Sequence, residues 1–112
     1  MDKFTMFKVI PPLLEREFNL GETMSVLSHN PSIFWSWGVS KKINFNDKGL
    51  LMKVSGHHHK GWVLVTLGWE DLYKVHIISN KGEIKNTYEG IFFDCLTEVI
   101  DNRIERIKEY EF

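Results

Sequence analysis

Three consecutive histidines are the most visible chemical feature of the sequence. His57, His58 and His59 lie between two segments with strand character, and His76 falls on the next such segment, toward the same end of the expected sheet. Zinc and other first-row metal ions accept imidazole nitrogen and carboxylate oxygen. His57, His59 and His76, with Glu83 as a carboxylate ligand, therefore form a candidate metal site. The alternative is a solvated polar loop, because no fixed ligand spacing supports the metal site.

A row of acidic residues follows the C-terminal part of the chain. Its members are spaced at helical intervals that place them on one face: Asp94, Glu98, Asp101, Glu105 and Glu109. Like charges at these spacings repel each other, and acids late in a helix oppose its dipole. Arg106 and Lys108 lie beside the row and compensate it in part. The row is either a solvated face or a surface that binds a basic protein partner or imitates the charge of nucleic acid.

Aromatic residues concentrate in the middle of the chain. Trp35 and Trp37 alternate with Ser36 and Gly38, which predicts a strand within residues 33–45 that carries both indoles on one face. Exposed rings beside lysines stack unpaired bases in single-strand binders. Paired indoles on one strand face also fit a core, because each buries about 150–250 Å². An apolar protein-binding patch is a third possibility. The nearby lysines are Lys41, Lys42, Lys53 and Lys60.

Known catalytic signatures do not occur in the sequence, which has no nucleophile elbow, phosphate-binding loop or dinucleotide-binding fingerprint. The single Cys95 falls on the apolar stripe of the expected C-terminal helix, so we expect a buried and inert thiol. Glu70 and Asp71 at a turn are more typical of a solvated loop than of an acid–base pair. We therefore expect no cofactor, and the balance favours a protein that is not an enzyme.

Length and charge narrow the class of protein. The 112 residues match one domain, 1–112, and the formal net charge of -1 argues against a general nucleic-acid binder. No apolar run approaches the roughly 20 residues that span a bilayer, and the first residues lack the pattern of a signal peptide. We therefore expect a cytoplasmic protein without membrane contact. The absence of Ala and Gln and the excess of Lys over Arg are typical of an AT-rich bacterial or phage genome.

The hydrophobic pattern predicts an α+β fold. One or more N-terminal helices come first, although the type of the segment before Pro11 stays open. Short strands and short loops then predict an antiparallel meander sheet of four or five strands. Residues 61–68 are apolar on both faces, which indicates a central strand covered on both sides. From Gly90 the period returns to 3.6 and predicts a helix to about Lys108 that packs on the sheet.

These patterns lead to one leading hypothesis and two alternatives. The leading hypothesis is a small non-enzymatic protein-binding module, an inhibitory or accessory factor of a phage or mobile element, that acts through the acidic helix face. One alternative is a metal-dependent enzyme that uses the His-rich loop. The other is a single-stranded nucleic-acid binder that uses Trp35 and Trp37. The sequence leaves open the oligomeric state and the exposed face of the sheet.

Overall fold

Helices at both ends of the chain enclose a five-stranded sheet. The structure is a computed structural model that describes residues 2–56 and 58–104. The helices are α1 (Lys3–Val9), α2 (Leu20–Leu27), α3 (Pro31–Ser36) and α4 (Leu96–Ile104), with short 3₁₀ turns at Pro11–Leu13 and Phe93–Cys95. The strands are β1 (Lys41–Phe45), β2 (Gly49–Ser55), β3 (Lys60–Leu67), β4 (Tyr73–Ile78) and β5 (Ile84–Ile91). All neighbours pair antiparallel in the order β1-β2-β3-β4-β5, so the expected α+β meander is confirmed.

The turn between β1 and β2 shows why the strands pair in this register. Asn46 and Asp47 have φ angles of 52° and 57°, a left-handed conformation that Asn and Asp tolerate better than other residues. The Asn44 side chain holds this turn, because its Oδ1 accepts a hydrogen bond from the Asp47 amide at 2.7 Å. The tight turn places Phe45 opposite Gly49 and Lys41 opposite Lys53.

The two faces of the sheet are covered by different helices. One face, the α2–α4 face, packs against the apolar sides of α2 and α4, including Leu27, Leu96 and Ile100. The opposite face, the α1 face, packs against Met6 of α1 and the following Ile10. Every residue of β3 after Lys60 is buried, which confirms the prediction of a central strand covered on both sides.

Hydrogen bonds fix both ends of the described chain. The segment before Pro11 is helix α1, which begins where Asp2 Oδ1 accepts a hydrogen bond from the Thr5 amide at 2.7 Å. At the other end, the carbonyl oxygen of Ile104 accepts a hydrogen bond from the His58 amide at 2.7 Å. Within the described ranges, no helix has the length and apolar character required to cross a membrane.

The predicted strand that starts at residue 33 is wrong in its first half. Residues Pro31–Ser36 form α3, because Asn30 Oδ1 accepts a hydrogen bond from the Ile33 amide and Pro31 occupies the first helical turn. The Asn30-Pro31 pair, which follows α2 in the chain, therefore starts the next helix. Only Lys41–Phe45 is a strand.

The C-terminal helix begins later than the sequence indicates. Strand β5 continues to Ile91, which lies opposite Tyr73, and Gly90 adopts a positive φ of 67° at an irregularity in the pairing. Helix α4 starts only at Leu96, after the 3₁₀ turn. The predicted end at Lys108 lies outside the described residues.

Candidate functional site

Two acids of the predicted acidic row are exposed at the surface. Asp94 in the 3₁₀ turn and Glu98 in the first turn of α4 are exposed, and neither forms an ion pair within residues 2–56 and 58–104. Glu105 and Glu109 lie outside the described residues. The described part of the row therefore presents two exposed carboxylates.

Asp101, the third acid of the row in α4, has a contact inside the protein. It is half-buried, and its Oδ1 accepts a hydrogen bond from Trp37 Nε1 at 3.0 Å. The Trp37 side chain is completely buried and packs against the ring of Phe34, with 5.5 Å between centroids. A carboxylate that accepts from a buried indole contributes more than a neutral acceptor would. Asp101 therefore joins α4 to the residue that ends α3.

A shallow groove of about 520 Å³ lies between α2 and the start of α4. Val26 and Phe93 form its apolar part, and Asp94 lies at its edge. Thr97 Oγ1 donates a hydrogen bond to the carbonyl oxygen of Val26 at 3.2 Å and joins the two helices. The remaining lining residues are Ser25, His29, Asn30 and Thr97. The groove thus combines apolar side chains with the carboxylate of Asp94 just before α4.

Sequence reasoning missed the groove, although one signal pointed to it. Phe92 and Phe93 are adjacent, so a single apolar stripe cannot bury both rings. They remain 63% and 40% exposed. The contribution of Val26 had no local signal, because its partner Thr97 is 71 residues away.

The expectation of a buried Cys95 is wrong. The residue lies in the 3₁₀ turn, where three residues per turn change the phase of the apolar stripe, and its side chain is exposed. Desolvation, followed by the negative charge and hydrogen bond of Asp94 and the charge of Glu98, raises the pKa of the thiol. Since the thiolate is the nucleophile, this position favours an unreactive thiol at neutral pH.

His59, in the candidate metal site, is buried and hydrogen-bonded. Its Nε2 donates to the carbonyl oxygen of Trp62 at 3.2 Å. Burial, with a smaller contribution from the positive charge of Lys85, lowers the pKa of the ring. A Cβ at position 61 would lie 3.1 Å from the imidazole, so Gly61 provides the space that the ring occupies.

His76 is buried on the α1 face of β4. Its Nδ1 lies 3.1 Å from Thr87 Oγ1, and its Nε2 lies 3.4 Å from Thr66 Oγ1. Burial, followed by the nearby charge of Lys74, lowers the pKa of this imidazole. Both ring nitrogens are thus within hydrogen-bond distance of a threonine hydroxyl.

The described residues do not assemble the candidate metal site. Within 2–56 and 58–104, no three His, Cys, Asp or Glu side chains are grouped as ligands for one ion. His59 and His76 have the hydrogen-bond partners described above, and Glu83 is exposed near the start of β5. His57 lies outside the described residues.

The two tryptophans of the stacking hypothesis are separated by the fold. Trp35 is 82% exposed, whereas Trp37 is completely buried, so the predicted pair on one strand face is wrong. Residues two positions apart share one face in a strand, but in a helix such as α3 they point to different sides. Trp37 is not accessible to a nucleic-acid base in this structure.

No protein-family model, curated protein or solved structure matches the chain.

Proposed function

We propose that this chain is a protein-binding module whose partner docks in the groove between α2 and α4. The observation that carries the proposal is the half-exposed Phe93 in an apolar groove beside the exposed carboxylate of Asp94. Glu98 adds a second carboxylate on the exposed side of α4. An apolar centre with a polar rim is the usual organisation of a protein interface.

The chemistry of the groove defines the kind of partner. Val26 and Phe93 favour an apolar side chain, and Asp94 and Glu98 favour a lysine or arginine next to it. Opposite charges accelerate association and select the partner, while the apolar contact contributes most of the affinity. A basic, partly apolar segment of another protein has both features. An accessory or inhibitory factor is the role that we assign to such a module.

Asp101 is not part of the proposed contact surface. Its carboxylate accepts the indole hydrogen bond of Trp37, so replacing it would disturb the packing of α3 on α4. Asp94 and Glu98 are therefore the described acids of the row to test.

The test is a charge reversal on this surface with a matched control. The double variant Asp94→Lys/Glu98→Lys is compared with Glu17→Lys/Glu83→Lys, which changes two other exposed acids to the same residues. Proteins captured by the wild-type chain are identified, and their affinities for all variants are then measured. We expect the first double variant to lose about tenfold or more in affinity, and the control to stay within about threefold of wild type.

Phe93→Ser tests the apolar part of the same surface. Far-UV circular dichroism establishes that each variant is folded before binding is compared. A captured partner that binds Asp94→Lys/Glu98→Lys and Phe93→Ser as tightly as wild type would contradict the proposal, and so would equal losses in the control variant.

A further inference from the structure

Two lysines lie directly opposite each other on the α1 face of the sheet. The register places Lys41 of β1 opposite Lys53 of β2, and Lys53 opposite Trp62 of β3. Like charges in directly opposed positions destabilise an antiparallel pair. Neither lysine forms an ion pair with a carboxylate in the described ranges. The fold therefore maintains two adjacent positive charges at this end of the sheet without a carboxylate in ion-pair contact with either.

The indole of Trp62 is a second locally unfavourable feature, after the opposed lysines. The residue is 2% exposed, and its Nε1 is buried without a hydrogen-bond partner in the described part of the chain. Leaving a buried donor unpaired costs about 1–3 kcal/mol, so such groups are rare in native proteins. The ammonium group of Lys53 lies over the same ring, 5.7 Å from its centroid.

The opposed lysines and Trp62 border one cleft of about 580 Å³ between α1 and the β1 edge of the sheet. Met6, Phe7 and Ile43 give it an apolar wall. Lys3 of α1 adds a third ammonium group to those of Lys41 and Lys53. The volume is within the range of about 300–1,000 Å³ that is typical of small-molecule sites.

Asp2 is the carboxylate that lines this cleft, and it has a structural role. Its Oδ1 accepts the hydrogen bond from the Thr5 amide that begins α1. That hydrogen bond, from the backbone of Thr5, lowers the pKa of Asp2, so its negative charge is retained and offsets one of the three lysines. The lining residues still carry an excess of positive charge.

We propose that this cleft binds a small amphipathic anion, with a carboxylate or phosphate head group on an apolar body. Lys41 and Lys53 attract the head group, and Trp62 Nε1 donates a hydrogen bond to it. The apolar body lies against Met6 and Phe7. Because Nε1 is buried in this structure, the side chains around it must shift for the head group to reach it. The cleft is on the opposite face of the sheet from α2 and α4, so this proposal is independent of protein binding.

Decanoate is the probe, used below its micelle concentration with the ¹⁵N-labelled full chain. Nuclear magnetic resonance follows the indole N–H signals of the four tryptophans, and Trp62→Phe assigns the signal of interest. We expect decanoate to shift the Trp62 signal saturably. Lys41→Gln/Lys53→Gln should weaken binding about tenfold or more, because the head group loses both cations. Lys81→Gln, at an exposed lysine after β4, is the control and should bind as wild type.

Further probes separate the head group from the apolar body. Decyl phosphate tests the alternative head group. Whichever of decanoate and decyl phosphate binds more tightly identifies the preferred head group. Decanol has a similar body without charge, and acetate and inorganic phosphate have charge without the body; all three should bind at least about tenfold more weakly. The proposal is overturned if decanol binds as tightly as the anions, if the Trp62 signal is unaffected at saturation, or if Lys41→Gln/Lys53→Gln binds normally. Binding of oligothymidylate without binding of either decyl anion would also overturn it.

Discussion

Replacing Asp101 by leucine tests whether this residue stabilises the fold through its hydrogen bond with Trp37. The substitution removes the acceptor of the 3.0 Å hydrogen bond and leaves Trp37 Nε1 without it at a completely buried side chain. Asp101→Asn is the matched control, because it removes the same charge but retains Oδ1 as an acceptor. We expect Asp101→Leu to destabilise the protein clearly and Asp101→Asn to have a smaller effect.

The expected magnitude follows from the environment of the two groups. A hydrogen bond to a charged group contributes about 1.5–3 kcal/mol, and an unsatisfied buried donor costs a similar amount. Because Asp101 is half-buried, leucine also gains some apolar contact, which offsets part of the loss. We expect a net loss of about 1.5–2.5 kcal/mol in the free energy of unfolding. For a domain of this size that corresponds to a decrease in Tm of roughly 6–12 °C.

A double-mutant cycle with Trp37→Phe isolates the pair, with urea unfolding followed by far-UV circular dichroism. Trp37→Phe removes the donor, so Asp101→Leu should cost less in that background, with a coupling of about 1–2 kcal/mol. Glu98→Leu, at an exposed acid of the same helix, should change the stability by less than about 0.5 kcal/mol. A coupling near zero, or equal effects of Asp101→Leu and Glu98→Leu, would refute the structural role of Asp101.

Three further predictions concern pH, the free thiol and the packing of α4. Burial lowers the pKa of His59 and His76 below the usual 6.5, because it disfavours the charged imidazole. The two neutral rings therefore contribute fully to the stability of the fold above pH 6.5, and this contribution is lost as the pH falls through the folded pKa. Urea midpoints of His59→Gln/His76→Gln should therefore depend less on pH between about 6.5 and 5 than those of wild type, and an unchanged slope would contradict this reasoning. Desolvation and neighbouring carboxylates raise the pKa of the exposed Cys95 thiol. A disulfide reagent should therefore react with Cys95 in the native protein, slowly at neutral pH and faster above about pH 9. A thiol that reacts only after unfolding would show that Cys95 is buried. A Cβ on Gly56 would clash with the carbonyl oxygen of Ile104. Gly56→Ala should therefore lower the free energy of unfolding by about 1–3 kcal/mol in urea titrations. A variant as stable as wild type would exclude this close approach.

Much of the sheet could be predicted because its signals are local. Residues 61–68 carry apolar side chains on both faces of the strand, and β3 is buried on both faces as expected. Alternating patterns and turn residues such as Asn46 and Asp47 indicate strands and tight connections from neighbouring residues alone. The predicted strand through Trp35 and Trp37 failed because aromatic alternation over a few residues competes with a helix start at Asn30 and Pro31.

The candidate sites depended on contacts between distant parts of the chain. The sequence placed Asp94 and Glu98 at the surface of a helical segment, but the groove beside them exists only because α2 packs on α4. Asp101 looked equivalent to its acidic neighbours, and only the position of Trp37 distinguishes it.

The sequence by itself determined the general plan of N-terminal helix, antiparallel strands and C-terminal helix, together with the central position of β3, because hydrophobic period and turn chemistry act between near neighbours. The tertiary structure alone decided which side chains meet. Cross-strand register brings Lys41, Lys53 and Trp62 into one row, although no local pattern relates them. Register is a collective result of turn geometry and burial on both faces, and a slip of one residue would send each of these side chains to the opposite face.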